Sequence, residues 1–109
     1  MKNCVFCKIA NGEIPSEFVL KSKNAFMIYD INPKTKIHLL IIPKKHLVFD
    51  DLSPLKNDII SELFNLAKKA AKKLKISTGY RLVINNGADS GQEIEHLHMH
   101  FLAGEKLKF

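Results

Sequence analysis

The chain has only two cysteines among its 109 residues, too few for the disulfide framework on which small secreted domains depend. No apolar run approaches the length of a membrane-spanning helix, and the run Leu39-Leu40-Ile41-Ile42 suits a buried strand. The opening stretch MKNCVFCKIANGE is broken by Cys, Lys and Asn too early to read as a secretory signal. These absences predict a cytoplasmic protein that does not engage a membrane. In that reducing setting a cysteine pair binds metal more often than it crosslinks. Internal repeats and low-complexity segments are also missing, and the length does not support two cores. Residues 1–109 are therefore expected to form a single domain.

Acidic residues are outnumbered, eleven against seventeen basic ones, for a net charge of +6. The excess favours an anionic partner through attraction and faster encounter, without choosing between nucleotide, RNA and lipid headgroup. Five lysines cluster at Lys68, Lys69, Lys72, Lys73 and Lys75. No aromatic side chain is interleaved with them, as base stacking in a nucleic-acid groove would require. The stretch reads as a solvated helix face, and nucleic acid is not the expected partner.

What is present is patterned. Val5 to Ala10 is short and apolar, with a turn at Asn11-Gly12. Phe18 to Lys21 and Ala25 to Tyr29 read as paired strands around Ser22-Lys23-Asn24. Pro33 breaks structure, and Ile37 to Ile42 is a β-rich run closed by Pro43, expected as a central strand. Ser53 as N-cap and Pro54 at the first helical position predict the start of a long helix. Ile59, Leu63, Leu66, Ala70 and Leu74 give it a buried stripe, and Gly79 lies beyond its end. Tyr80 to Asn85 and His96 to Leu102 read as strands separated by a polar loop. The layout is α+β, an antiparallel sheet of about five strands with the long helix on one face.

The segment HLHMHFLAG at residues 96–104 places imidazoles at His96, His98 and His100, with Leu97, Met99 and Phe101 between them. Side chains alternate along a strand, so the rings share one face and the apolar residues pack on the core from the other. The rings could be exposed surface residues. They could bind one metal, although His96 and His100, roughly 13 Å apart on a strand, poorly suit bonds of about 2.1 Å. They could instead divide labour around a phosphoryl group, one as nucleophile and the others contacting phosphate. A histidine with a reference pKa of about 6.5 is mostly neutral at neutral pH and can attack phosphorus to form a covalent intermediate. Neutral or cationic neighbours suit the charge on phosphorus better than carboxylates do. The loop Asn85-Asn86-Gly87-Ala88-Asp89-Ser90-Gly91-Gln92 runs straight into these histidines, and its glycines allow backbone amides to approach an anion.

HLHMHFL resembles the signature of the histidine triad superfamily. CVFCKIANGEIP at residues 4–15, YDINP at 29–33, HLLIIPKKH at 38–46 and NNGADSGQE at 85–93 resemble that family in order and spacing. The pattern is most similar to the Hint branch, the purine nucleoside phosphoramidases. The resemblance implies a HIT-like fold and hydrolysis of the P–N bond of a purine nucleoside 5′-phosphoramidate. His98 would be the nucleophile, with His100 and His38 contacting the phosphate. Asn85 and the Gly91-Gln92-Glu93 backbone would hold phosphate oxygens. Asp30 would accept hydrogen bonds from the ribose hydroxyls. Phe6, Ile9, Ile28, Tyr29 and Ile31 would line the base pocket of an AMP-type ligand. Without the family pattern, Asp30 is equally a turn residue, and Phe6, Ile9, Ile28 and Ile31 default to core.

Cys4-x-x-Cys7 lacks the preceding strand that a redox pair normally follows. In many bacterial members of the superfamily two further ligands come from positions matching His46 and His96, so the resemblance implies a structural zinc on Cys4, Cys7, His46 and His96, the alternative being free thiols. It also implies a homodimer. Glu93 stands where the Hint branch often has a serine placed to assist the leaving amine, which leaves open the leaving group: amine, or phosphate as in a dinucleoside polyphosphate. A nucleotide-binding module with little turnover is the non-enzymatic alternative.

Overall fold

A computed structural model describes residues 3–53 and 58–109. Two helices, α1 (Val5–Ala10) and α2 (Ile59–Lys73), accompany five strands: β1 (Leu20–Lys21), β2 (Ala25–Tyr29), β3 (Ile37–Pro43), β4 (Arg81–Val83) and β5 (Met99–Ala103). The strands form one sheet in the order β1-β2-β3-β5-β4, antiparallel at every pairing. This is the expected α+β architecture, with β3 at the centre.

Both faces of the central strands are covered, which is why β2 and β3 read as near-continuous apolar runs. Ala25, Met27, Leu39, Ile41, Met99 and Phe101 face α2, meeting its stripe of Ile59, Leu63, Leu66, Ala67 and Ala70. Phe26, Ile28, Leu40 and Ile42 face the other way and pack against Cys4, Phe6 and Ile9 of the α1 segment. The long helix alone was expected. The second face is closed by α1, whose Phe6 and Ile9 lie one turn apart and are buried. Its N-cap is Cys4, whose sulfur accepts the Cys7 N–H at 3.4 Å.

Several boundaries differ from expectation. Pro54 lies outside the described residues; Ser53 is described and belongs to neither helix nor strand, and the described helix starts at Ile59 after Asp58. Its far end closes without glycine. Lys75 takes a φ of 57°, while the Lys75 and Ile76 N–H groups return to the carbonyls of Lys72 and Ala71. That double bond pattern, with Ile76 and Ala71 both against the core, offsets the strain of a lysine in a left-handed conformation. The five clustered lysines are all exposed, as expected of a solvated face.

The last strand is shorter than the histidine pattern suggests. β5 pairs with β3 only from Ile41↔Met99 onward. Continued register would bring Leu97 opposite Pro43, which has no N–H to donate. The Leu97 N–H instead reaches the Leu47 carbonyl at 2.7 Å, and the His96 N–H the Ile94 carbonyl at 2.9 Å. His96 and His98 therefore precede the strand, although Leu97, Met99 and Phe101 still enter the α2 side of the core.

Candidate functional site

The face of the sheet opposite α2 carries a cavity of about 560 Å³. β3 supplies His38 and Leu40, β5 supplies His100 and Leu102, and the segment before β5 supplies His98. Phe6 and Ile9 of α1 and Ile28 of β2 form its buried apolar wall, joined by Val5. Tyr29, half exposed, and Ile31, almost fully exposed, stand at its mouth. Phe6, Ile9 and Ile28 are thus core and cavity wall at once, whereas Ile31 is not core. Asp30, Asn85, Gly91, Gln92 and Glu93 line the same space.

Hydrogen-bond polarity assigns each ring a state. His98 Nδ1 lies 2.7 Å from the His96 carbonyl oxygen. A carbonyl can only accept, so Nδ1 carries the proton and Nε2 of the neutral ring keeps a lone pair. His38 Nδ1 lies 3.0 Å from the Lys34 backbone N–H, which can only donate. The proton of neutral His38 is therefore on Nε2, 2.9 Å from His100 Nδ1 and 3.4 Å from Asp30 Oδ2. His100 Nδ1 accepts, which leaves its Nε2 as a donor. Burial, with the neighbouring His98 and His38 rings adding to it, pushes His100 down to about 4. Burial also holds His38 below the ordinary imidazole range against the opposing pull of Asp30. With both rings neutral, the site so offers a lone pair at His98 Nε2 beside an N–H donor at His100 Nε2.

The Asp30–His38–His100 group also lies close enough to hold a metal ion. Its hydrogen bonds fit one poorly, because a metal on His38 Nε2 would need the proton on Nδ1, facing the Lys34 N–H head on. Asp30 itself divides its carboxylate: Oδ1 accepts the Asn32 N–H at 2.7 Å, the turn role, while Oδ2 faces His38.

The polar loop is tightened by its own contacts. Ser90 and Gly91 donate back to Gly87 and Ala88, Gly91 sits at φ 91°, and Gln92 Oε1 accepts the Gly87 N–H at 2.8 Å. The Gly91 N–H is thus engaged with the Ala88 carbonyl at 3.0 Å. Those of Gln92 and Glu93 make no hydrogen bond among the described residues.

Cys4, Cys7, His46 and His96 come together outside the cavity lining, their ligand atoms all within 4.8 Å of one another. Cys4 Sγ is 3.2 Å from His96 Nδ1, and Cys7 Sγ is 3.4 Å from His46 Nδ1 and 3.6 Å from His96 Nδ1. Tetrahedral zinc with bonds of about 2.3 Å to sulfur and about 2.0 Å to nitrogen separates such donors by about 3.5 Å. His96 Nε2 lies 2.8 Å from the Pro43 carbonyl, so it carries the proton and Nδ1 is free to ligate; metal-bound histidines commonly donate their other N–H to a carbonyl in this way. Burial holds the His96 imidazole below its ordinary range and, with Cys4 beside it, the Cys7 thiol above. A divalent cation would favour the thiolate instead. The donor set fits zinc.

Sequence reasoning did not find the Lys34 N–H or the Pro43 carbonyl, since a backbone group leaves no mark on residue type. Leu102 was findable, as the next residue in alternation with His100.

The family model described as HIT domain matches residues 11–107. A HIT-like protein of Helicobacter pylori that is itself uncharacterized is 42% identical over 104 residues, covering 94% of this chain and 97% of its own. A histidine triad protein from Clostridium difficile superposes with a TM-score of 0.94 at 42% identity, covering 100% of this chain and 96% of that one. A HIT family hydrolase from Legionella pneumophila gives 0.92 at 42%, covering 98% and 97%.

Proposed function

The chain belongs to the HIT domain family, and from that membership we propose that it is a nucleotidyl hydrolase acting on purine nucleoside 5′-phosphoramidates through His98. The observation that carries the reading is the 2.7 Å bond from His98 Nδ1 to the His96 carbonyl, which in the neutral ring puts the proton on Nδ1 and the lone pair on Nε2. The name of the Legionella neighbour, a hydrolase, supports it. His98 Nε2 forms a bond to the α-phosphorus as the P–N bond breaks, and the amine leaves with the bonding pair and takes up a proton. Water then attacks the nucleotidyl-histidine, loses a proton, and returns His98 with its lone pair. His100 donates Nε2–H to a phosphate oxygen, and His38 holds the His100 ring in that tautomer. The N–H groups of Gln92 and Glu93 and the side chain of Asn85 take the remaining phosphate oxygens. Asp30 Oδ2 accepts from the ribose, and Phe6, Ile9, Ile28, Tyr29 and Ile31 surround the base.

Structural zinc on Cys4, Cys7, His46 and His96 belongs to the same proposal. So do cytoplasmic residence and a homodimer, β4 being an edge of the sheet. The zinc would supply charge to two thiolates and cross-link the chain, with no part in the chemistry.

Lys34 favours a second reading. It lines the cavity mouth near the His38–His100 pair, where its ammonium would suit an anionic phosphate leaving group better than an amine. One experiment separates the readings: a panel of nucleoside phosphoramidates, acyl-adenylates and dinucleoside polyphosphates run on wild type and His98→Asn. Phosphoramidates should be the preferred substrates. The variant should lose at least about 10³-fold in turnover while still binding AMP. Full-speed hydrolysis by the variant ends the nucleophile assignment, and AMP binding without turnover in wild type leaves only a nucleotide-binding module.

A further inference from the structure

Two short segments each carry both metal donors and cavity wall. In the first, Cys4 and Cys7 alternate with Val5, Phe6 and Ile9; in the second, His96 precedes His98 by two residues. None of the four donors lines the cavity. Every backbone hydrogen bond recorded for residues 4–12 stays within residues 4–14, so no backbone bond among the described residues ties α1 to the sheet. Apart from apolar packing, its tether is the pair of cysteines reaching His46 and His96. Phe6 bridges the two segments, its ring edge-packed at 5.6 Å from His96 and 5.1 Å from His98. The His96 backbone carbonyl is the group that fixes the His98 tautomer.

We infer that the cysteine–histidine centre is a positioning device for the nucleotide cavity: metal held there fixes α1, Phe6 and the His96 carbonyl, so that metal and nucleotide bind cooperatively without touching. This rests on the nucleotide reading above. Cys4 and Cys7 are then positioning residues, and the coupling is a free energy shared by two sites. Whatever factor the metal adds to nucleotide affinity, nucleotide must add to metal affinity.

The test uses the whole chain under reducing conditions near neutral pH, loaded with one zinc or stripped with a chelator. AMP affinity is measured by calorimetry, and zinc affinity by competition with a chelating dye with and without AMP. Stripping should weaken AMP binding by about tenfold or more, within the usual range of such couplings. AMP should tighten zinc by the same factor. Phe6→Leu, which keeps all four donors, should shrink both factors together. Equal AMP affinity in both forms overturns the inference and leaves the nucleotide reading standing. Failure of both forms to bind AMP overturns that reading, and the coupling with it. Absence of stoichiometric zinc binding also overturns the inference. So does a stripped protein that circular dichroism shows to be unfolded, since the centre would then be a condition of folding and not a positioning device.

Discussion

His96 and His100 lie four positions apart and carry the same side chain, and burial pushes both imidazoles below their ordinary range. Their surroundings separate them. His96 is fully buried, gives Nε2–H to the Pro43 carbonyl, and turns Nδ1 to two sulfurs. His100 accepts at Nδ1 from His38 and lines the open cavity. The residue type sets what an imidazole can do, and the partner of one nitrogen decides what the other is left to do. In this chain those partners are mostly backbone groups: Pro43, Lys34 and the His96 carbonyl.

The sharpest way to break that contrast is to remove each ring in turn. His96→Ala would empty a fully buried position and strip a donor from the metal-type centre, so a stability loss of about 3 kcal/mol or more is expected. His100→Ala should leave the melting temperature within a few degrees, because the His38 Nε2–H it exposes still has Asp30 Oδ2 at 3.4 Å. Its cost should fall on turnover, by about 10²-fold or more, through loss of a donor to the reacting phosphate. Thermal melts and steady-state kinetics on the two variants check this. The reverse pattern, activity lost with stability kept at His96 and the opposite at His100, would end the division of labour.

Proton linkage sharpens the same comparison more gently. The folded chain holds His100 near 4, below the unfolded value of about 6.5, so between those values the unfolded chain binds more protons. Stability therefore rises with pH across that window, and acidification from about 6.5 toward about 4 destabilises the fold. The share due to His100 is on the order of 1 kcal/mol once solvent screening of this partly exposed ring is allowed for. The readout is the difference in unfolding free energy between wild type and His100→Gln as a function of pH. Wild type minus variant, it should fall steadily as pH drops through the window, and a difference independent of pH would contradict the lowered His100 value.

Much of this was legible in the residues. The alternation HLHMHF gave the correct faces, because Leu97, Met99 and Phe101 must leave water whether or not a ladder forms around them. The apolar run before Pro43 gave the central strand. Two things were not legible. The length of β5 depends on the opposing Pro43, a tertiary neighbour no local pattern reports. The helical state of Val5–Ala10 depends on a sulfur cap and on a sheet face that six residues cannot advertise. For the site, residue types suggested which side chains gather around the cavity, but the protonation of each ring follows from carbonyls and N–H groups that every residue carries alike.

The smallest effect concerns a carboxylate that belongs to neither histidine group. Glu62, in the first turn of α2, accepts from the Ser22 hydroxyl, the Asn24 N–H at 2.7 Å and the Asn24 side-chain amide at 3.0 Å. It thereby pins the β1–β2 turn to the helix. Burial alone would raise its pKa, but the Ser22 and Asn24 hydrogen bonds, with Lys44 nearby, outweigh that and hold it below the ordinary carboxylate range. A depressed carboxylate contributes stability that is complete above its unfolded value and is lost only as pH falls through the lower folded one. Glu62→Gln, which keeps the shape and removes the charge, should cost about 1 kcal/mol near neutral pH. That cost should stay constant between about pH 5 and pH 7, where the His100 contribution is changing, and turnover should be untouched. Denaturant melts at those two pH values decide it: a Glu62→Gln cost that changed in step with the His100→Gln difference would mean that the two regions titrate as a unit.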